Sequence, residues 1–463
     1  MRSLSCGAVS VRAKTDPGSM YQAPVEQQSL GETTMQFSCG HRGLGNQFSH
    51  LYRSTEATSP YVFVRRFAAL LVFASALAST AYAADTIRVG VSCPMSGGSS
   101  DMGISLRNGV QLAADEINGW AGGALGKKIE LVIRDDKADN AIGKQVAEDL
   151  VREQKVSATI GICNAGVGLA SLDAYQNGKV PLLIAVSAGT PLAERLAATP
   201  DFYVFRNAPR DEIQAEFLVR EALKRGLRRI AVFADTSAYG ESGLSYVKKA
   251  LAEQKLAPVS VQRFPIGVTS LAEQATEAKA SGADAVLAWT VGPEAAVIAK
   301  SVARQKWPVQ IFGSWPLSWR NFIDGSGPAA EGTLVAVSFV QQAGFQTRNA
   351  FILAYQKKYG TGVIPAPMAA AQGYDAMMIV YQAILQARSD EPVKIKAALE
   401  NLDRPIAGAV TTYQTPFSKT DHDAISENML VLGIVRQGQI DYANREDAMK
   451  TFSVQRKSVR PAM

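Results

Sequence analysis

The sequence predicts an α/β chain of two Rossmann-like lobes with parallel sheets, joined by a hinge that the chain crosses three times. Three observations predict it. Short apolar runs alternate with amphipathic stretches from residue 86 onward, the β-α-β rhythm that builds parallel sheets covered by helices. The rhythm runs through twice, and 380 residues is long for one core and comfortable for two. No low-complexity linker separates the two runs, which suits a short hinge.

In order, Ile87–Ser92 reads as a strand. Leu106–Ile117 reads as a helix, with Val110, Leu112, Ala113 and Ile117 at helical spacing. Ile129–Arg134 is a strand, Ile142–Glu153 a helix, Ala158–Ile162 a strand, Val167–Gln176 a helix and Pro181–Ala185 a strand. The second run gives strands at Arg229–Ala234, Val259–Phe264, Ala285–Trp289 and Val309–Phe312. Its helices are Gly243–Gln254, Leu271–Ala280 and Glu294–Gln305. Long helices at Asn349–Tyr359 and Ala366–Gln386 follow the second lobe's strands and are expected to pack back on the first lobe. That places the crossings near Arg206, Gly313 and Ser426. Lobe I is then 84–207 plus 313–425, lobe II 208–312 plus 426–450, and 451–463 a tail. In open parallel sheets a site lies beyond the carboxyl ends of the strands, here between the lobes. A jaw-like closure suits several crossings.

Residues 62–83 read as a secretory signal peptide. Arg65 and Arg66 form its basic start, Phe67–Ala78 its uncharged apolar stretch, and Ala81-Tyr82-Ala83 a small-x-small cleavage site. The mature chain is then expected to begin at Ala84, outside the cytoplasm. A membrane anchor is the other reading, but a span needs roughly 20 apolar residues. A twin-arginine signal is a poorer fit than an ordinary basic start. Residues 1–61 show no periodicity and read as disordered, or as an upstream extension of a chain that starts near Val62.

The net charge of +6 is about half a leader effect. The first 83 residues hold 7 Lys and Arg against 4 Asp and Glu, leaving 41 against 38 beyond them. A near-neutral mature chain offers no electrostatic ground for nucleic acid or an acidic membrane. Only His422 of the three His lies beyond the leader, which excludes a His-rich metal site. A Ser-His-Asp triad would have to use His422, whose Thr-Asp-His-Asp setting reads as a surface turn. No Gly-x-Ser-x-Gly elbow occurs in the mature part, so no enzyme activity is expected. Gly166-Val-Gly-Leu-Ala-Ser171 lacks the third Gly of a dinucleotide fingerprint. Cys93 and Cys163 end what should be neighbouring strands. They are either a disulfide, which an oxidising compartment allows, or two buried small hydrophobes.

Seven segments stand in a telling order: Pro94-Met-Ser-Gly-Gly-Ser-Ser-Asp-Met-Gly103, Ala114-Asp-Glu-Ile-Asn118, Gly161-Ile-Cys-Asn-Ala-Gly166, Val180-Pro-Leu-Leu-Ile184, Tyr239-Gly-Glu-Ser-Gly243, Gly373-Tyr-Asp-Ala376 and Asp421-His-Asp423. Taken together they resemble the periplasmic branched-chain amino-acid-binding proteins, type I solute-binding subunits of ABC importers. The resemblance covers nearly all of 86–445. It implies capture of a small carboxylate between closing lobes, delivery to a membrane permease, no cofactor and a monomer. A ligand sensor on the same fold is a further class. A cytoplasmic regulator would lack the leader, and a receptor would carry a membrane segment after the lobes.

The resemblance implies that Cys163, Asn164, Ala165 and Gly166, with Ser187, Ala188 and Gly189, hold the ligand carboxylate through backbone N–H groups and hydroxyls. Helix N-termini supply free donors and a positive dipole end there. The bland alternative is two tight strand-helix turns. Met102 would line the first-lobe wall, and Tyr239 would close over the ligand. The departures concern the ammonium and hydroxyl partners. Trp315 stands where the family places a Glu, Val291 where it places a Tyr, and Gly189 where it places a Thr, with Thr190 next to it. A buried ammonium without a partner costs several kcal/mol. The expected ligand is therefore a carboxylate without an α-amino group, with Trp315 stacking on a flat ring. Benzoate-like, cinnamate-like and short branched aliphatic acids fit, and branched-chain amino acids are the alternative. Trp315 could otherwise be a hinge residue packed on Pro316.

Overall fold

The computed structural model describes residues 85–450 apart from 193 and 195–198. The expected leader, its expected cleavage site and the expected tail lie outside the described residues. The first sheet has the order β2-β1-β3-β4-β5 and is parallel throughout. Its strands are β1 (Thr86–Cys93), β2 (Lys128–Asp135), β3 (Ala158–Gly161), β4 (Leu182–Ile184) and β5 (Val204–Arg206). Helices α1 (Ser100–Trp120), α2 (Asn140–Glu148) and α3 (Ala165–Gly178) connect them. The strands read as continuous apolar runs because both faces are covered; every residue of β3 and β4 is buried. The helix expected over Ile142–Glu153 starts at Asn140 and ends in a π-helical turn, Asp149–Glu153. Its start is fixed by Asp139, whose carboxylate accepts from the N–H groups of Ala141 (2.8 Å) and Ile142 (2.9 Å).

The second sheet has seven strands in the order β14-β13-β10-β9-β8-β6-β7. Four were expected: β6 (Ile230–Asp235), β7 (Ser260–Phe264), β8 (Ala285–Trp289) and β9 (Gln310–Gly313). Between them run α5 (Ala238–Glu253), α6 (Ala272–Ala280) and α7 (Gly292–Arg304), with α4 (Asp211–Lys224) leading in. A short helix α8 (Arg320–Ser326) follows. Three strands were not expected. β10 (Leu334–Val337) pairs in parallel with β9 and antiparallel with β13 (Val431–Arg436), which forms a hairpin with β14 (Gln439–Tyr442).

This pairing corrects the position of one crossing. Leu334 lies opposite Phe312 and Ile434, so residues 313–337 stay with the second sheet. The chain leaves it only at Ser338, whose N–H meets Met368 Sδ at 3.3 Å. The long helices form as expected, α9 (Gln346–Tyr359) and α10 (Pro367–Ala387), before α11 (Pro392–Leu399) and a two-residue ladder of β11 (Ile406–Ala407) and β12 (Thr412–Tyr413). α10 lies against α1 so closely that a Cβ on Gly109 would sit 2.0 Å from the Ala370 carbonyl oxygen.

The segments around Arg206 and His422–Ala424, near which the other two crossings were expected, lie side by side. Arg206 N donates to His422 O and Ala424 N donates to Arg206 O, both at 2.8 Å. The Arg206 guanidinium bonds Asp423 at 2.6 Å, with both side chains buried. Asn207 reaches the Gln372 carbonyl on α10 at 2.9 Å, and Gln372 bonds Ser338 at 3.2 Å. All three crossings are thus joined in one hydrogen-bonded set.

His422 is the other correction. It is 4% exposed rather than on a surface turn. Its ring stacks on Phe205 at 3.9 Å, with Nδ1 2.9 Å from Val204 O and Nε2 3.2 Å from Glu400. The polar run is drawn inward because each buried polar group finds a partner there. Burial is the chief cause that lowers its pKa. Among the described residues no helix is long and apolar enough to cross a membrane, and no cluster of His, Cys, Asp and Glu could hold a metal ion.

Candidate functional site

A cavity of about 680 Å³ lies beyond the carboxyl ends of the strands of both sheets. The size is that of a small-molecule site. Nine of the eleven expected site residues are on its wall: Met102, Cys163, Asn164, Ala165, Gly166, Ala188, Tyr239, Val291 and Trp315. Ser187 and Gly189 are not. Ser187 is buried, its N–H donating to Ile162 O at 3.0 Å. The Gly189 carbonyl accepts from Arg206 Nη1 at 2.8 Å. Thr190 does not reach the wall either; its hydroxyl accepts from Glu212 N at the start of α4.

The wall is built from loops that feed helices. β3 runs into Gly161, Ile162 and Cys163, and α3 begins at Ala165 with Asn164 as its N-cap. The Asn164 side chain makes no capping bond, so the first-turn N–H groups have no partner within the helix. Cys163 is bonded to Cys93 as a disulfide, Cα–Cα 5.4 Å, which decides between the two readings of that pair. On the opposite side α5 starts at the cavity with Ser237 capping Gly240 N at 3.3 Å. The Tyr-Gly-Glu-Ser-Gly run is explained by packing. A Cβ on Gly240 would sit 2.0 Å from Asp235 O, and one on Gly243 would sit 2.1 Å from the Trp289 ring. Both glycines let α5 lie close on β6 and β8, which aims Tyr239 at the cavity. α7 also begins at the wall, with Val291 as its N-cap and Pro293 in the first turn. With Ser99 and Asp139, the N-caps of α1 and α2, also on the wall, the starts of α1, α2, α3, α5 and α7 face one space, and each places a positive dipole end there.

The remaining chemistry is mostly apolar. Trp315 is 3% exposed and packs edge-on against Trp319, with ring centres 4.9 Å apart. Its backbone N–H donates to Gln214 at 3.2 Å. It lies beside Pro316 on the wall, so the hinge-residue and ligand-contact readings are both compatible with its position. Ile266, Pro316 and Trp319 complete the second-lobe side. None of the wall residues is a Lys, Arg or His, and Asp139 is the one carboxylate among them. One Asp139 oxygen is engaged by its own helix cap. The Tyr239 hydroxyl donates to Ser314 at 2.7 Å. Burial, then the nearby Asp211 carboxylate, pushes its pKa well above the usual value. Asp211 itself is buried, accepts from Ser242 at 2.6 Å, and is pushed up to about 7 by burial.

Sequence reasoning missed Trp319, Ile266 and the Ala138–Ala141 turn. The turn had a signal, since Asp139 with the free first turn of a helix is an N-cap pattern after a strand. Trp319 had none, because a short irregular stretch carries no periodicity.

A family model described as periplasmic binding protein matches residues 86–439. The Leu/Ile/Val-binding protein homolog 3 of Brucella melitensis is 26% identical over 348 residues, 75% of this chain and 90% of that protein. A type 1 periplasmic binding protein from Bordetella pertussis superposes with a TM-score of 0.70 at 25% identity, covering 77% of this chain and 99% of the other. An ABC-transporter solute-binding protein from R. palustris, in complex with benzoate, superposes with a TM-score of 0.66 at 19% identity, covering 78% and 96%.

Proposed function

The chain belongs to the periplasmic binding proteins, and from that premise we propose that it captures a small carboxylic acid without an α-amino group, an aromatic acid above all. The lobes would close over the ligand and present it to the permease of an ABC importer. One observation carries the ligand class. The cavity collects the starts of five helices, α1, α2, α3, α5 and α7, and its wall offers a single carboxylate, Asp139, which caps one of them. Helix starts favour an anion. An ammonium deep between Val291, Trp315 and Trp319 would meet no carboxylate on the wall there and would cost several kcal/mol. A flat ring suits the two indoles. The benzoate complex of the R. palustris protein supports this reading only in so far as the same fold can house such an acid.

Delivery follows a leader cleaved after Ala83, a periplasmic location and a monomeric chain. The lobes are taken as 84–207 with 338–425, and 208–337 with 426–450.

A second reading, branched-chain amino acids, rests on the Leu/Ile/Val-binding relative and on Asp139, which could meet an ammonium from the first-lobe side. Thermal shift of the purified chain separates the two, with leucine, valine, benzoate, 4-hydroxybenzoate, cinnamate and short fatty acids as probes. At 100 times its dissociation constant a ligand stabilises by about 2.7 kcal/mol. The expected result is a shift with the aromatic acids and none with leucine or valine. A shift with leucine alone would overturn the ligand class and make Asp139 the ammonium partner.

A further inference from the structure

The Cys93–Cys163 bond stands where three loops of the first-lobe wall meet. β1 and β3 are neighbours through Ser92 and Gly161. Past that pair the chain turns sharply. Gly161 has φ 151°, and a Cβ there would sit 2.1 Å from Ser92 O. Ile162 follows at φ 57°. A β-branched residue rarely adopts the left-handed region, so something must hold it there. Two hydrogen bonds do part of this: Ile162 N to Ser92 O at 2.8 Å, and Ser187 N to Ile162 O at 3.0 Å. The next residue is Cys163, on the cavity wall and bonded back to Cys93. Two residues further on, the first-turn N–H groups of α3 begin.

Cys93 also touches the second loop. Its carbonyl accepts from Asp136 N at 3.4 Å, and Ser92 Oγ donates to Asp136 at 3.1 Å. That loop carries Asp139 to the wall. Immediately after Cys93 comes the third loop, in which Met95 N donates to Asp135 at 2.8 Å before α1 brings Met102 to the wall.

The geometry points to the disulfide as a positioning element of the binding site: it holds the left-handed turn at Ile162 and so fixes the α3 amides at the spacing a carboxylate requires. This rests on the carboxylate reading above. A cross-link that merely restrains the unfolded chain over a separation of 70 residues would raise stability and leave affinity alone.

The test compares the full chain with the double variant Cys93→Ala/Cys163→Ala. The control is Ile117→Ala, a buried α1 residue that is not on the cavity wall and that destabilises without touching the turn. All measurements are made well below every variant's melting temperature. The first readout is amide hydrogen exchange of Ile162, Gly168 and Ser187 in the free protein. The second is the dissociation constant for benzoate and for leucine. In the double variant we expect exchange at those three amides to speed up about ten-fold or more. Affinity for whichever probe the wild type binds should fall about ten-fold, a change of 1.4 kcal/mol. Ile117→Ala should keep its affinity. Unchanged exchange and affinity, with stability alone reduced, would overturn the proposal. A wild-type chain that binds neither probe would overturn the ligand class instead, and the exchange result would still decide the role of the disulfide.

Discussion

Trp315 and Asp211 show how one side chain can be tested on two scales of energy. Replacing Trp315 with Ala removes a wall of the cavity and a buried ring, so stability should drop by about 3–5 kcal/mol. Trp315→Phe keeps a flat face and should retain most of the affinity for an aromatic acid, whereas Trp315→Ala should lose at least about ten-fold, read by titration calorimetry. Asp211 gives a pH signature. Its folded pKa lies above that of a free carboxyl because burial disfavours the charge. Between roughly pH 4 and pH 7 the folded state therefore holds more protons than the unfolded one, and stability falls as pH rises through that window. Asp211→Asn should flatten the fall, seen as a smaller difference between urea midpoints at pH 5 and pH 7.5. Asp136, raised to about 6, and Asp375, raised to about 7, also by burial, keep a residual slope in the same direction. Buried His422, with its pKa lowered by burial, acts oppositely: its share of stability is lost as pH falls below that of free imidazole. Most of the first-lobe wall was legible because loop residues between a strand and a helix carry a recognisable order. His422 was not, since a polar run names no partner, and Phe205, Val204 and Glu400 come from distant segments.

At the scale of elements, the close approach of α5 to β8 is the feature most open to a single change. A methyl on Gly243 would overlap the Trp289 ring, so Gly243→Ala must push the helix off the sheet. The expected cost is about 1–3 kcal/mol in a urea titration. Because Tyr239 sits in the first turn of the same helix, probe affinity should fall with it. An unchanged midpoint would mean that α5 can tilt without loss. The long helices and most strands of the two runs were readable from apolar period and length. β10 was not, being four apolar residues that periodicity cannot assign. The β13–β14 hairpin could have been found. Gln437 and Gly438 both have positive φ, and a two-residue turn ending in Gly between apolar runs is a hairpin signal.

Over the whole molecule, the position of β10 matters more than its length. It keeps residues 313–337 on the second sheet and moves the middle crossing to Ser338, beside Asn207 and Gln372. A hinge tied together this way permits rotation about one region, and a ligand that closes the lobes should reduce the radius of gyration in solution scattering. Scattering that is identical with and without a bound probe would argue for a rigid cleft. The two indoles on the cavity wall have a use of their own. Trp315 and Trp319 lie edge to face at 4.9 Å, close enough for their near-ultraviolet transitions to couple. Such a pair gives a circular-dichroism couplet that depends on the angle between the rings, and a third ring slid against either indole would alter it. Trp315→Phe should therefore remove the part of any ligand-induced change in the near-ultraviolet spectrum that comes from this pair, leaving the share of the other Trp and Tyr residues and of the disulfide.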